Sequence, residues 1–243
     1  MRRYSPQTLA YSFGPGPITP AVKWIIWANI VMFLATLVAP VIFGPLGLSP
    51  AMVVERGWIW QPVTYMFLHA GAMHILFNML GVWMFGVELE RLWGTKFFLR
   101  YYAVTGVGAA ITTLAVSFLP FDFAAAVYRS LTVGASGALY GLLLAFAKYY
   151  PNRPILMMLI FPVPAKYFVI IIGALSFMTG GGGVAHAAHL GGLLFGYFYL
   201  RKGGGGSLSA EIKYRYLKWK MNRLRRRFDV YSGGRGDWDR HVH

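Results

Sequence analysis

Long apolar runs alternate with short polar breaks along most of this chain. Six of them approach the length needed to cross a bilayer: Trp24–Phe43, Met73–Leu92, Phe97–Leu119, Ser136–Tyr150, Ala165–Met178 and Ala185–Leu200. The polar intervals differ in kind. Met1 to Pro20 is rich in Pro and Gly without a regular period, and reads as a mobile or surface-lying arm. Gly44 to Ala72 carries Pro45, Pro50, Trp58, Trp60 and Phe67, which suits an amphipathic loop lying in the interface. Pro120 to Ser130 is a further loop. Pro151, Arg153 and Pro154 end the fourth run, and Ile155 to Pro164 is apolar but cut by prolines, so it fits neither helix nor loop. Gly180–Gly183 is a loop. Gly203–Gly206 is a flexible linker, followed by a basic segment from Ser209 to Phe228 with Leu217, Trp219, Leu224 and Phe228 among its charges.

Composition agrees with this pattern. Of the 243 residues 57% are hydrophobic and 13% charged, where soluble domains carry about 25% charged residues. The mean hydropathy is +0.51. The chain is therefore read as an all-α membrane protein of six transmembrane helices. Its parts are an arm over residues 1–22, a helical domain over 23–201 and a basic tail over 202–243. There is no cysteine, which excludes disulfides, thiolate metal sites and cysteine nucleophiles. A net charge of +15 invites a nucleic-acid partner, but twelve of the 23 Lys and Arg follow Leu200 and most others sit at the ends of apolar runs. That distribution marks topology and attraction to anionic lipid at the tail, not nucleic acid. With both termini cytoplasmic, the outer loops hold only Arg56 and Arg129, so the positive-inside rule fixes that orientation.

This topology gathers the unusual polar side chains into one layer below the outer surface. Ser136 heads the fourth span, His186 and His189 the sixth, and His69, His74 and Asn78 lie at or just past the start of the second. Polar groups at membrane depth are costly and are functional candidates by default. Ser136 could instead be a hydrogen-bonding residue in a helix contact. Spacing favours chemistry: His74 and Asn78 share a helix face, as do Ser136 and Tyr140. Gly137-x-x-x-Gly141 and Gly192-x-x-x-Gly196 would let the fourth and sixth spans approach closely. A serine and a histidine brought together in this way make a nucleophile and its base, and donors such as His74 and Asn78 could hold an oxyanion.

The segments His69-x4-His74-x3-Asn78, Gly134-Ala135-Ser136-Gly137 and Ala188-His189-Leu190-Gly191-Gly192-x3-Gly196 together resemble the rhomboid intramembrane serine proteases. The resemblance covers about Trp24 to Leu200 and implies a six-helix rhomboid bundle. It implies that Ser136 is the nucleophile and His189 the base, without an acidic third member. His74, Asn78 and the Ser136 backbone N–H would form the oxyanion hole. Gly134 and His69 would support the site, and Tyr140 would pack beside His189. The implied substrates are transmembrane proteins cut near the outer ends of their spans, with no cofactor. The expected location is the bacterial cytoplasmic membrane, as a multi-pass protein.

One departure concerns the first loop, where the family's Trp-Arg pair reads Trp60-Gln61. His186 competes with His189 as base, and the glycine stripe favours His189. A histidine metal site is disfavoured for want of nearby carboxylates, and Glu88 and Glu90 are expected as interfacial charges at the cytoplasmic end of the second span. The competing function is a catalytically silent, rhomboid-like membrane chaperone or adaptor, expected to lack the Ser or the His.

Overall fold

In the computed structural model, Pro20 opens the first long helix. Its missing N–H costs nothing at that position, and its fixed φ suits the first turn. Residues 14–157, 160–179 and 184–203 are described, so the first thirteen residues, the Gly180–Gly183 loop and the basic tail lie outside the description. Helix α1 spans Pro20–Val38, and short helices α2 (Phe43–Leu46), α3 (Pro50–Arg56) and α4 (Gln61–Thr64) follow it. Then come α5 (Ala72–Trp93), α6 (Thr95–Val116), α7 (Asp122–Arg129) and α8 (Ser136–Tyr149). The hairpin β1 (Pro154–Met157) and β2 (Phe161–Pro164) leads to α9 (Ala165–Thr179) and α10 (Val184–Gly203).

Helices α1, α5 and α6, of 19, 22 and 22 residues, are long and apolar enough to cross a membrane. Trp24, Val31, Leu34 and Leu37 of α1 are exposed while Ala21, Val22 and Ile25 are buried, an apolar exterior that calls for a hydrocarbon solvent. This is an integral membrane protein. Helix α8 differs: eight of its 14 residues are buried, so it runs through the protein interior. It packs against α5, α6 and α9.

Two expectations change. The apolar run Ile155–Pro164, which fitted no element, contributes to an antiparallel hairpin in which Pro154 pairs with Pro164 and Met157 with Phe161. Glu90 is not a solvent-facing charge at the end of α5 but a buried one. It is 3% exposed and accepts hydrogen bonds from the Ala21 N–H (3.0 Å), the Val22 N–H (3.1 Å) and the Thr95 hydroxyl (2.7 Å). The first turn of a helix leaves its N–H groups without partners and carries a positive dipole end. Glu90 answers both, fastening the start of α1 to the corner where only Gly94 separates α5 from α6. Glu88, nearby, is paired with Arg153 at 3.0 Å. The arm's last described residues are also held, because the Arg91 guanidinium donates to the carbonyls of Pro15 and Pro17.

The interfacial loop hangs from α4. The Trp60 indole donates to the Pro45 carbonyl (2.8 Å) and the Thr64 hydroxyl to that of Leu46 (2.7 Å). Gln61, fully buried where the family has arginine, accepts from the Ser49 N–H (3.0 Å) and donates to the Gly44 carbonyl (3.2 Å). On the same side, the Tyr128 hydroxyl of α7 donates to Glu55 of α3 (2.8 Å).

Glu90→Gln keeps the size of the side chain but removes the charge that three donors share. It is expected to lower unfolding stability by about 1.5–3 kcal/mol, read as a lower thermal midpoint in detergent.

Candidate active site

The segment before Ser136 is fixed on both sides. Leu48 and Thr132 exchange backbone hydrogen bonds of 2.9 and 2.8 Å, and the Gly134 N–H donates to the Tyr65 carbonyl at 2.9 Å. Tyr65 is itself anchored, its hydroxyl donating to the Gly106 carbonyl of α6 at 2.7 Å. Gly134 then turns the chain at φ +117°, a conformation other residues avoid. A Cβ there would also lie 2.7 Å from Nε2 of His74. The turn delivers Ser136 as the first residue of α8, with His74 alongside the loop that carries it.

Helix α10 meets α8 at the same level. A Cβ on Gly192 would lie 1.9 Å from the Gly137 carbonyl oxygen, and one on Gly196 would lie 3.4 Å from Cα of Gly141. Gly192 thus faces α8, as the spacing predicts, while Gly196 lies closest to α6, a Cβ there being 2.6 Å from the Tyr101 hydroxyl. The α8 glycines do not face back. Positions for a Cβ on Gly137 and Gly141 are filled by Ala109 and Thr105 of α6, at 2.5 Å each. The two stripes therefore join three helices, α6 to α8 and α8 to α10.

This approach brings Nε2 of His189 to 2.8 Å from Oγ of Ser136. The imidazole stacks on Tyr140, with ring centroids 4.1 Å apart and planes 11° from parallel. The Tyr140 hydroxyl donates to the Ile172 carbonyl of α9 at 3.3 Å. An imidazole nitrogen at this distance can take the hydroxyl proton as oxygen attacks a carbon centre. His186, one turn earlier on α10, is half-buried.

Asn78 is buried, and one of its amide protons goes to the His74 carbonyl at 2.9 Å. An amide has two donors, so one remains for another acceptor. His74 accepts a long contact of 3.4 Å from the Ala70 N–H at Nδ1. His69 meets the edge of His74, ring centroids 5.0 Å apart, and is 1% exposed. Burial, helped by the nearby His74 and opposed by the Phe67 backbone, pushes its imidazole down to about 4. Among the described residues, no group of three His, Cys, Asp or Glu gathers in a metal-holding arrangement.

The rhomboid domain model matches residues 56–203, more than half of the chain. The chain belongs to the rhomboid family. It is 30% identical over 153 residues to the rhomboid protease GluP of Bacillus subtilis, a match covering 63% of this chain and 27% of that protein. It is 28% identical over 160 residues to the mitochondrial rhomboid protein 1 of Saccharomyces cerevisiae, covering 63% and 45%. To the rhomboid protease AarA of Providencia stuartii it is 30% identical over 149 residues, covering 56% and 53%. This rhomboid thus matches between about a quarter and a half of the length of these relatives. They come from bacteria and mitochondria, so kinship assigns no particular membrane. Some contributors to this site carried no sequence signal: nothing in their local pattern marks Tyr65 or the Leu48–Thr132 bridge as neighbours of Ser136.

Gly192→Ala would push a methyl group into the Gly137 carbonyl. It is expected to cost about 1–3 kcal/mol of stability and to lower labelling of Ser136 by a fluorophosphonate probe. Gly173→Ala on α9, where no atom lies within 4 Å of the new methyl group, should be neutral or stabilising in the same assays. His69 gives a pH signature. Between about 6.5 and about 4 the unfolded imidazole binds a proton that the folded one refuses, so stability falls as pH falls through that window. A His69→Gln variant should show a shallower loss of thermal midpoint over the same range.

Proposed function

We propose that this rhomboid is an active intramembrane serine endopeptidase that cuts transmembrane proteins near the outer ends of their spans. The observation that carries the reading is the 2.8 Å contact between Ser136 Oγ and His189 Nε2 at the α8–α10 crossing. Ser136 Oγ attacks the carbonyl carbon of the scissile peptide while His189 takes the hydroxyl proton. His74, Asn78 and the Ser136 N–H donate to the oxygen that gains negative charge. Collapse of the intermediate expels the amine, protonated by His189, and leaves an acyl ester on Ser136. Water, deprotonated by the same imidazole, then releases the new carboxyl end and restores the serine. No cofactor takes part.

The reading includes six spans, with α8, α9 and α10 crossing beside α1, α5 and α6. It also includes both termini in the cytoplasm of a bacterial cell, and the division into an arm over 1–22, a protease domain over 23–201 and a basic tail over 202–243. The tail meets anionic lipid and not nucleic acid. A helical substrate reaches Ser136 between α5 and α9. A catalytically silent chaperone or adaptor is the second reading, and the Ser136–His189 contact, which such a protein does not need, speaks against it.

Ser136→Ala should abolish both cleavage of a transmembrane substrate and fluorophosphonate labelling, while folding is retained. His189→Ala should lose most of the rate, since general base catalysis contributes about 10²–10⁴-fold, and His186→Ala should lose much less. An inactive wild-type protein that folds normally would favour the chaperone, and an inactive His186→Ala beside an active His189→Ala would reverse the choice of base.

A further inference from the structure

The β1–β2 hairpin has no role in the chemistry above, and its construction is unusual. Its pairs are Pro154 with Pro164, Ile155 with Val163, Leu156 with Pro162 and Met157 with Phe161. Antiparallel partners alternate between pairs that exchange backbone bonds and pairs whose N–H and C=O groups point outward. Two prolines cannot donate to each other, so Pro154 and Pro164 are an outward pair, and by alternation so are Leu156 and Pro162. The next pair beyond the hairpin agrees, because the Ala165 N–H donates to the Arg153 carbonyl at 2.9 Å. The outward backbone donors of the sheet would therefore come from residues 154, 156, 162 and 164. Proline occupies three of the four, and only the Leu156 N–H remains.

An open sheet edge is costly in a poorly hydrating medium because its outward N–H groups lack partners. This hairpin has shed nearly all of them. It also exposes apolar side chains: Leu156 is 40% exposed, Ile160 69% and Phe161 57%. The exposed cations Arg153 and Lys166 flank the two strands in the chain, Lys148 is exposed in the last turn of α8, and Arg153 pairs with Glu88. No Asp or Glu occurs between Phe123 and Ala210.

We propose that the hairpin lies on the membrane as a lipid-binding element. Leu156, Ile160 and Phe161 reach the acyl boundary of the leaflet, and Lys148 and Lys166 meet anionic head groups. The outward carbonyls of the strands still need hydrogen bonds, which keeps the strands at head-group level and limits penetration to the side chains. The inference rests on the membrane reading of α8 and α9 and not on whether Ser136 is active. Edge prolines also protect strands from pairing in water, and that use is the competing outcome.

Depth measurements separate the two. The chain has no cysteine, so Ile160→Cys and Asn152→Cys each accept a single environment-sensitive fluorophore. The full chain is reconstituted in vesicles of phosphatidylcholine with phosphatidylglycerol, and quenching by acyl-brominated lipid is compared with quenching by aqueous iodide. The expected result is strong lipid quenching and weak iodide quenching at 160, with the reverse at 152. Replacing phosphatidylglycerol by phosphatidylcholine should raise iodide quenching at 160. Equal iodide quenching at 160 and 152 would overturn membrane docking and leave the prolines as guards of a water-exposed edge. Docking that ignores the lipid exchange would overturn the role given to the lysines.

Discussion

The site depends on how closely two helix backbones can approach. At Gly192 the space a Cβ would need is already filled by the Gly137 carbonyl. An imidazole is short compared with the usual separation of helix axes, about 8–10 Å. A serine hydroxyl is shorter still. For the two to meet at 2.8 Å, one helix must lose its side chains along the contact. That requirement fixes Gly192 of α10, and it leaves no slack for a larger residue there. Tyr140 completes the arrangement by covering the face of the ring, so His189 is held in plane as well as in distance.

Ser136 is held by a second and independent set of constraints. Its loop is a short extended piece, and backbone bonds to Leu48 and Tyr65 tie it to the interfacial loop. That loop is in turn suspended from three side chains of the α4 region, Trp60, Gln61 and Thr64. Gln61 both donates and accepts here, which a guanidinium cannot do. Where the family pattern has arginine, Gln61 can therefore accept from the Ser49 N–H as well as donate to the Gly44 carbonyl.

Much of this was legible in the chain. Hydropathy gave the long helices, because lipid demands continuous apolar runs. The polar residues His74, Asn78, Ser136 and His189 stood out because they interrupt such runs. What pattern could not give was tertiary pairing among similar small residues. Gly137 and Gly141 read as facing α10, yet they accept α6, and nothing local distinguishes the two neighbours. The hairpin escaped notice because its prolines read as breaks, although they stand at the outward positions of a two-stranded ladder. Glu90 was misjudged for a related reason. Its partners are backbone N–H groups of Ala21 and Val22, about seventy residues earlier, and backbone has no sequence signature.

The Glu90 contact also has a bearing on how the protein is assembled during synthesis. Ala21 and Val22 are made well before Glu90, so the first-turn N–H groups of α1 have no carboxylate to bind until α5 has been added. Once made, the contact holds the start of α1 and the end of α5 at one level of the bundle. The tie joins backbone at residues 21 and 22 to a carboxylate at residue 90, so it can close no earlier than the synthesis of α5.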